Sequence, residues 1–203
     1  GGDVAKLSII PVALGEITLK FDTLQNDYYF KIMITTDKDA EEKVIWHEKE
    51  SDTAFRFIWA PEIHEIGGKW YVLFAASGSA DNVWDINCHC IMCNGKDPYN
   101  DSWTDKGKFE AAEGDSFPFT GFSLDMTYFE NNGKHYLVWA EKLDDSSLFM
   151  AEINPQEPWK LISKPILLTK PEYDWEKGYL FVSIISVLFL LAGILFFRKK
   201  KCT

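Results

Sequence analysis

One pattern occurs twice in this chain and constrains the fold more than any other feature. Its first copy runs Glu62-Ile63-His64-Glu65-Ile66-Gly67-Gly68-Lys69-Trp70-Tyr71-Val72-Leu73-Phe74-Ala75-Ala76. Its second runs Asp125-Met126-Thr127-Tyr128-Phe129-Glu130-Asn131-Asn132-Gly133-Lys134-His135-Tyr136-Leu137-Val138-Trp139-Ala140. Each reads as an acid, a short apolar run, a Gly-Lys turn, and a Tyr-x-x-aromatic-Ala strand. Superposing Gly68-Lys69 on Gly133-Lys134 gives a period of about 65 residues, the signature of stacked copies of one supersecondary unit. The same reading puts an acid at an equivalent place in each copy.

The units themselves are all strand and turn. Candidate strands are 17–21, 28–35, 43–46, 62–66, 70–75, 87–92, 103–109, 126–130, 136–141, 148–153 and 159–163, separated by Gly-, Asn- and Pro-marked breaks such as Asn154-Pro155. Trp103 and Trp159 take matching places in the two copies. Each copy therefore holds about four antiparallel strands, and no amphipathic helix of ordinary length interrupts them. Tandem four-stranded units marked by Gly and aromatics fit propeller blades better than a sandwich. Composition allows this: 46% hydrophobic and 15% aromatic residues are enough to pack a core and too many for a disordered chain.

Charge and cysteines narrow the partners. A net charge of −10 repels a phosphate backbone, so nucleic acid is excluded as a partner. Cys88-His89-Cys90 and Cys93 invite a metal reading, but a structural zinc site needs a second ligand pair, and none follows. On a strand Cys88 and Cys90 share one face and His89 the other, so buried thiols are expected and no metal or other cofactor. The chain opens Gly1-Gly2 without a charged-then-apolar leader.

Residues 179–197, from Tyr179 to Phe197, form an uncharged apolar run followed at once by Arg198-Lys199-Lys200-Lys201. That length spans a hydrocarbon core as a helix, and the cationic cluster prefers the cytoplasmic side. The expectation is a single-pass membrane protein. Residues 1–177 form an extracellular partial propeller, 178–197 the membrane helix and 198–203 the cytoplasmic tail.

Several ordered motifs then resemble one family. Trp59-Ala60-Pro61-Glu62-Ile63-His64, Gly68-Lys69-Trp70-Tyr71, Ser123-Leu124-Asp125, Gly133-Lys134-His135-Tyr136-Leu137-Val138-Trp139-Ala140 and Leu168-Thr169-Lys170-Pro171-Glu172-Tyr173-Asp174-Trp175-Glu176 look like glycoside hydrolase family 43. The likeness runs from about residue 44 to residue 176 and is nearest to the α-L-arabinofuranosidase-like and β-xylosidase-like members. It implies a five-bladed β-propeller, of which about three blades precede the apolar run. It also implies inverting hydrolysis of arabinose- and xylose-containing glycans.

Inversion needs a base to deprotonate water and an acid on the opposite side of the ring; a further carboxylate holds the acid's pKa high. The resemblance makes Asp125 that tuning carboxylate. It places Asp22, before Tyr28-Tyr29-Phe30, nearest to the base position. Trp59, Glu62 and His64 would bind the sugar, although each also reads as a strand-edge or packing residue. The acid-bearing Asn-Glu-Gly-Pro segment has no counterpart: after Asp174-Trp175-Glu176 the chain continues Lys177-Gly178 and then the apolar run. The family's channel ion is held by residues beyond this stretch, so no metal site is expected. The implied activity is a glycosidase impaired by the missing acid. The alternatives are a membrane-anchored glycan-binding or interaction module without chemistry, or a truncated gene remnant. An unclosed propeller further implies a partner chain that completes the ring.

Overall fold

The computed structural model describes residues 7–12, 15–23, 30–35, 43–47, 54 and 56–173, apart from 80, 143 and 144; before residue 43 it describes backbone course alone, except at Ile34. Twelve strands and no helix are present among these residues. They are β1 (Leu7–Val12), β2 (Gly15–Thr23), β3 (Phe30–Thr35), β4 (Lys43–His47), β5 (Arg56–Ile66), β6 (Lys69–Ser77), β7 (Ile86–Cys93), β8 (Trp103–Lys108), β9 (Ser123–Asn131), β10 (Lys134–Lys142), β11 (Ser146–Ile153) and β12 (Ile166–Thr169).

They form three antiparallel four-stranded meanders, β1 to β4, β5 to β8 and β9 to β12, each in chain order. This is the all-β, repeated four-strand architecture of a partial propeller. The repeat is visible in the hairpins. Gly67-Gly68 and Asn132-Gly133 all take positive φ, the geometry of a tight two-residue turn that Gly and Asn tolerate.

Apolar side chains bind each sheet to the next. Ile34, Trp46, Ile58, Phe74, Ala76 and Ile91 lie in the layer between the first and second sheets. Tyr71, Leu73, Cys88, Cys90, Leu137, Trp139 and Phe149 fill the layer between the second and third. Strand alternation explains the division: successive side chains of β6 and β7 point to opposite faces, so both faces of the second sheet are buried. Trp46 Nε1 also donates to Asp105 Oδ2 at 3.0 Å, tying β4 to β8.

One strand expectation fails. Residues 159–163 form turns and isolated bridges rather than a strand. Asn154 Oδ1 accepts the Gln156 amide, and Glu157 N donates to Asn154 O, which curls the chain after Pro155. Trp159 is then drawn to the second sheet: its carbonyl accepts the Glu110 amide, and Lys106 Nζ lies 4.1 Å from its ring centroid. The fourth strand of this sheet comes later, as β12, so Trp103 and Trp159 are not structural equivalents.

The apolar run 179–197 and the basic tail lie outside the described residues. Among those described, no helix is long and apolar enough to cross a membrane.

Candidate active site

The first strands of the second and third sheets, β5 and β9, supply the acids. Both strands are bulged near their starts. In β5 the pairing steps from Trp59–Ala75 to Glu62–Leu73, so Ala60 and Pro61 together face Phe74. In β9 it steps from Thr127–Val138 to Leu124–Ala140, so Asp125 and Met126 face Trp139. The leading residue of each bulge is left-handed, with φ 45° at Ala60 and 53° at Asp125. Such bulges re-aim side chains where a sheet meets a site.

This corrects the sequence alignment of the two acids. The equivalents across the repeat are Ala60 and Asp125, each opposite the large aromatic of the neighbouring strand. Glu62 lies two positions further along. Only the third sheet carries a carboxylate on its bulge.

The two acids nonetheless come together. Asp125 is largely buried, and its pKa rises from 3.8 to about 6, first because burial disfavours its charge and second because Glu62 repels it. Glu62 is in turn fixed by His64, whose Nε2 lies 2.9 Å from Glu62 Oε2. The His64 ring meets Tyr128 edge-on at 5.7 Å, and Tyr128 Oη is 2.7 Å from His135 Nδ1. The repulsion between Glu62 and Asp125 and the contact of His64 with Tyr128 thus both run between β5 and β9. Trp59 is half-buried against the cluster of Ala75, Ile86, Phe122, Leu124, Ala140 and Leu148. Four of the five sequence candidates therefore lie along one seam. The fifth, Asp22, falls in β2 opposite Lys31, and its side chain lies outside the described residues.

A further carboxylate escaped the sequence reading. Glu141, at the end of β10, is fully buried. Its Oε1 accepts the Phe119 amide and its Oε2 the Trp139 indole N–H, both at 2.7 Å, and it also accepts the amides of Thr120 and Gly121. Burial raises its pKa, while these donors act in the opposite direction. It holds the loop that leads into β9 and so into Asp125. The spacing Trp139-x-Glu141, with both side chains on one strand face, was the available signal.

The β7 thiols take no part. Cys88, Cys90 and Cys93 are free and buried, and burial pushes all three thiols up. Stacked on Phe74, His89 lies on the face opposite Cys88 and Cys90. No group of three or more His, Cys, Asp or Glu residues is placed to hold a metal among the described residues.

What the seam offers chemically is a pair of mutually repelling carboxylates, one of them held to an imidazole. A family model described as glycosyl hydrolases family 43 matches residues 35–182. An extracellular exo-α-(1→5)-L-arabinofuranosidase of Streptomyces chartreusis is 40% identical over 141 residues, which cover 68% of this chain and 40% of that protein. An α-L-arabinofuranosidase B of Pyricularia oryzae is 37% identical over 145 residues, covering 68% and 28%. In three dimensions the chain resembles the crystal structure of an α-L-arabinofuranosidase from Lactobacillus brevis, with 33% identity, a TM-score of 0.61, and coverage of 79% of this chain and 52% of that one. The chain thus spans well under half the length of these two sequence relatives. The match takes in the whole of the second and third sheets, and with them the β5–β9 seam: the chain belongs to family 43 of the glycosyl hydrolases.

Proposed function

We propose that this chain supplies part of a glycosidase that hydrolyses α-L-arabinofuranosyl linkages in arabinose- and xylose-containing glycans with inversion. The observation that carries the reading is the Asp125–Glu62 pair, with Asp125 pushed up to about 6 on a left-handed bulge. A carboxylate desolvated to that degree acts strongly through its charge on a neighbouring acid, which is what a tuning residue requires. Asp125 acts as the tuning carboxylate, Asp22 as the base that activates water, and Trp59, Glu62 and His64 hold the sugar ring. The names of the relatives, all arabinofuranosidases, support the substrate class.

A second reading draws on the same site. Of the three carboxylates that inversion with a tuned acid requires, the described side chains supply one, Asp125, and the side chain of Asp22 lies outside them. Where the acid-bearing segment is expected, the sequence reads Lys177-Gly178 and then apolar residues. A glycan-binding module without turnover fits that inventory. Incubating the full chain with aryl α-L-arabinofuranoside and aryl β-D-xyloside separates the two. Turnover that Asp125→Asn lowers by about 100-fold or more supports the enzyme. Oligosaccharide binding with no turnover supports the module, and neither binding nor turnover overturns both.

We further infer, from length and lack of charge, that residues 179–197 cross a bilayer with 198–201 on the cytoplasmic side. The first four of these residues fall within the family match, so a buried strand is the competitor. Release of the full chain by carbonate extraction would refute the spanning helix.

A further inference from the structure

We propose that Trp84 is a second sugar platform, which takes a neighbouring pentose ring of the same glycan outside the carboxylate seam. The proposal rests on the functional reading above and extends it. Trp84 lies in the loop between β6 and β7 and is 55% exposed. A single exposed apolar residue is ordinary. This one is set apart by how it is held, where it stands and what surrounds it.

The described residues of the loop are tied together by hydrogen bonds. Ser77, itself fully buried, donates from Oγ to the carbonyl of Asn82 at 2.7 Å and accepts the Ser79 amide at 3.1 Å. Asn82 Oδ1 accepts the Trp84 amide at 3.1 Å, and the Asp85 amide closes the turn on Asn82 O at 3.2 Å. Gly78 N donates to Asp85 O, which shuts the base of the loop. The indole rests edge-on against Phe122, with ring centroids 6.0 Å apart. A ring fixed in this way loses little freedom when a ligand stacks on it, so more of the stacking energy is available for affinity.

Its position is the right one. Ser77 pairs with Arg56 at the start of β5 and with Ile86 at the start of β7, so the loop stands at the end of the second sheet where β5 begins. Phe122, which it touches, immediately precedes β9 and lies three residues before Asp125. Phe122 also belongs to the cluster against which Trp59 leans. Trp84 therefore touches a member of the same apolar cluster that Trp59 packs against at the seam.

The rim selects the ligand. Asp81, Asn82 and Asp85, all exposed, flank Trp84 in the loop. Acceptors of this kind suit the hydroxyls of a neutral sugar, while two carboxylates repel phosphates and other anions. An apolar face of a pentose ring on the indole, with its hydroxyls toward the loop, satisfies both.

The test is calorimetric titration of the full chain with L-arabinose and with α-1,5-linked arabino-oligosaccharides of two to five units. The wild type should gain affinity with chain length. Trp84→Ala should lose about tenfold for the longer ligands relative to the monosaccharide, and Trp84→Phe should keep most of the gain. Because the indole is exposed and outside the sheets, the substitution leaves the core intact, which near-UV circular dichroism verifies. Equal length dependence in wild type and Trp84→Ala overturns this inference alone. No binding of any pentose ligand by the wild type overturns the functional reading, and this inference with it.

Discussion

Asp125 is costly to the fold in the state that the proposed chemistry uses. Its folded pKa, about 6, lies above the unfolded value near 3.8. A raised carboxyl favours the fold when protonated, so its contribution is fully present below about pH 4 and is lost as pH rises through 6. Above that range the buried charge destabilises the protein by on the order of 3 kcal/mol. Asp125→Asn removes the charge without changing shape, and Asn tolerates the left-handed backbone at this position. The variant should therefore melt several degrees higher than wild type at pH 7.5 and show no gain at pH 4. Thermal melts at the two pH values check this; an equal gain at both would sink the electrostatic account. The residue scale also shows what was legible. Asp125, Glu62, His64 and Trp59 could be named as candidates from the family resemblance. That Ala60, not Glu62, is the repeat equivalent of Asp125 already follows from the 65-residue period; what one strand's sequence hides is the bulge, a property of two paired strands.

At the scale of elements, the hairpins were readable because two-residue turns demand particular residues. Gly67-Gly68 and Asn132-Gly133 satisfy that demand. The strand expected at 159–163 failed for the opposite reason. Its aromatic and aliphatic residues do pack, but their backbone partners are Glu110, just past the end of β8, and Glu152, in β11. Local pattern cannot tell a residue anchored between sheets from one within a sheet. Glu141 shows the same dependence on distant partners. One buried carboxylate satisfies three loop amides and an indole, and so fixes Phe119 at φ 64°. Removing it leaves several donors unpaired in the interior. Glu141→Ala should cost about 3 kcal/mol or more, read as a fall in the urea midpoint. Glu141→Gln, which keeps an acceptor and sheds the buried charge, should cost clearly less. Equal losses would mean that the loop draws its order from its phenylalanines instead.

At the scale of the molecule, stability resides in the contacts between sheets, and the two Gly positions of the first hairpin separate that term from turn geometry. Gly67 and Gly68 both have positive φ, at 57° and 80°. A Cβ on Gly68 would meet nothing within 4 Å. A Cβ on Gly67 would come within 2.7 Å of Pro155 O and 3.0 Å of Pro155 Cβ, both in the turn that follows β11 of the third sheet. The hairpin of one sheet is thus seated against the neighbouring sheet with no room for a side chain. Asn is the probe of choice, because it tolerates positive φ and already occupies the position equivalent to Gly67 in the other hairpin, as Asn132. Gly68→Asn should therefore stay within about 1 kcal/mol of wild type, since only the backbone preference changes. Gly67→Asn must also push Pro155 away, which adds about 1–3 kcal/mol of overpacking. Urea unfolding of the two variants reads the difference directly. If both fall equally, the second and third sheets are not interlocked at this point, and the seam that places Glu62 beside Asp125 would have to be held by the Trp59 and Tyr71 layers alone.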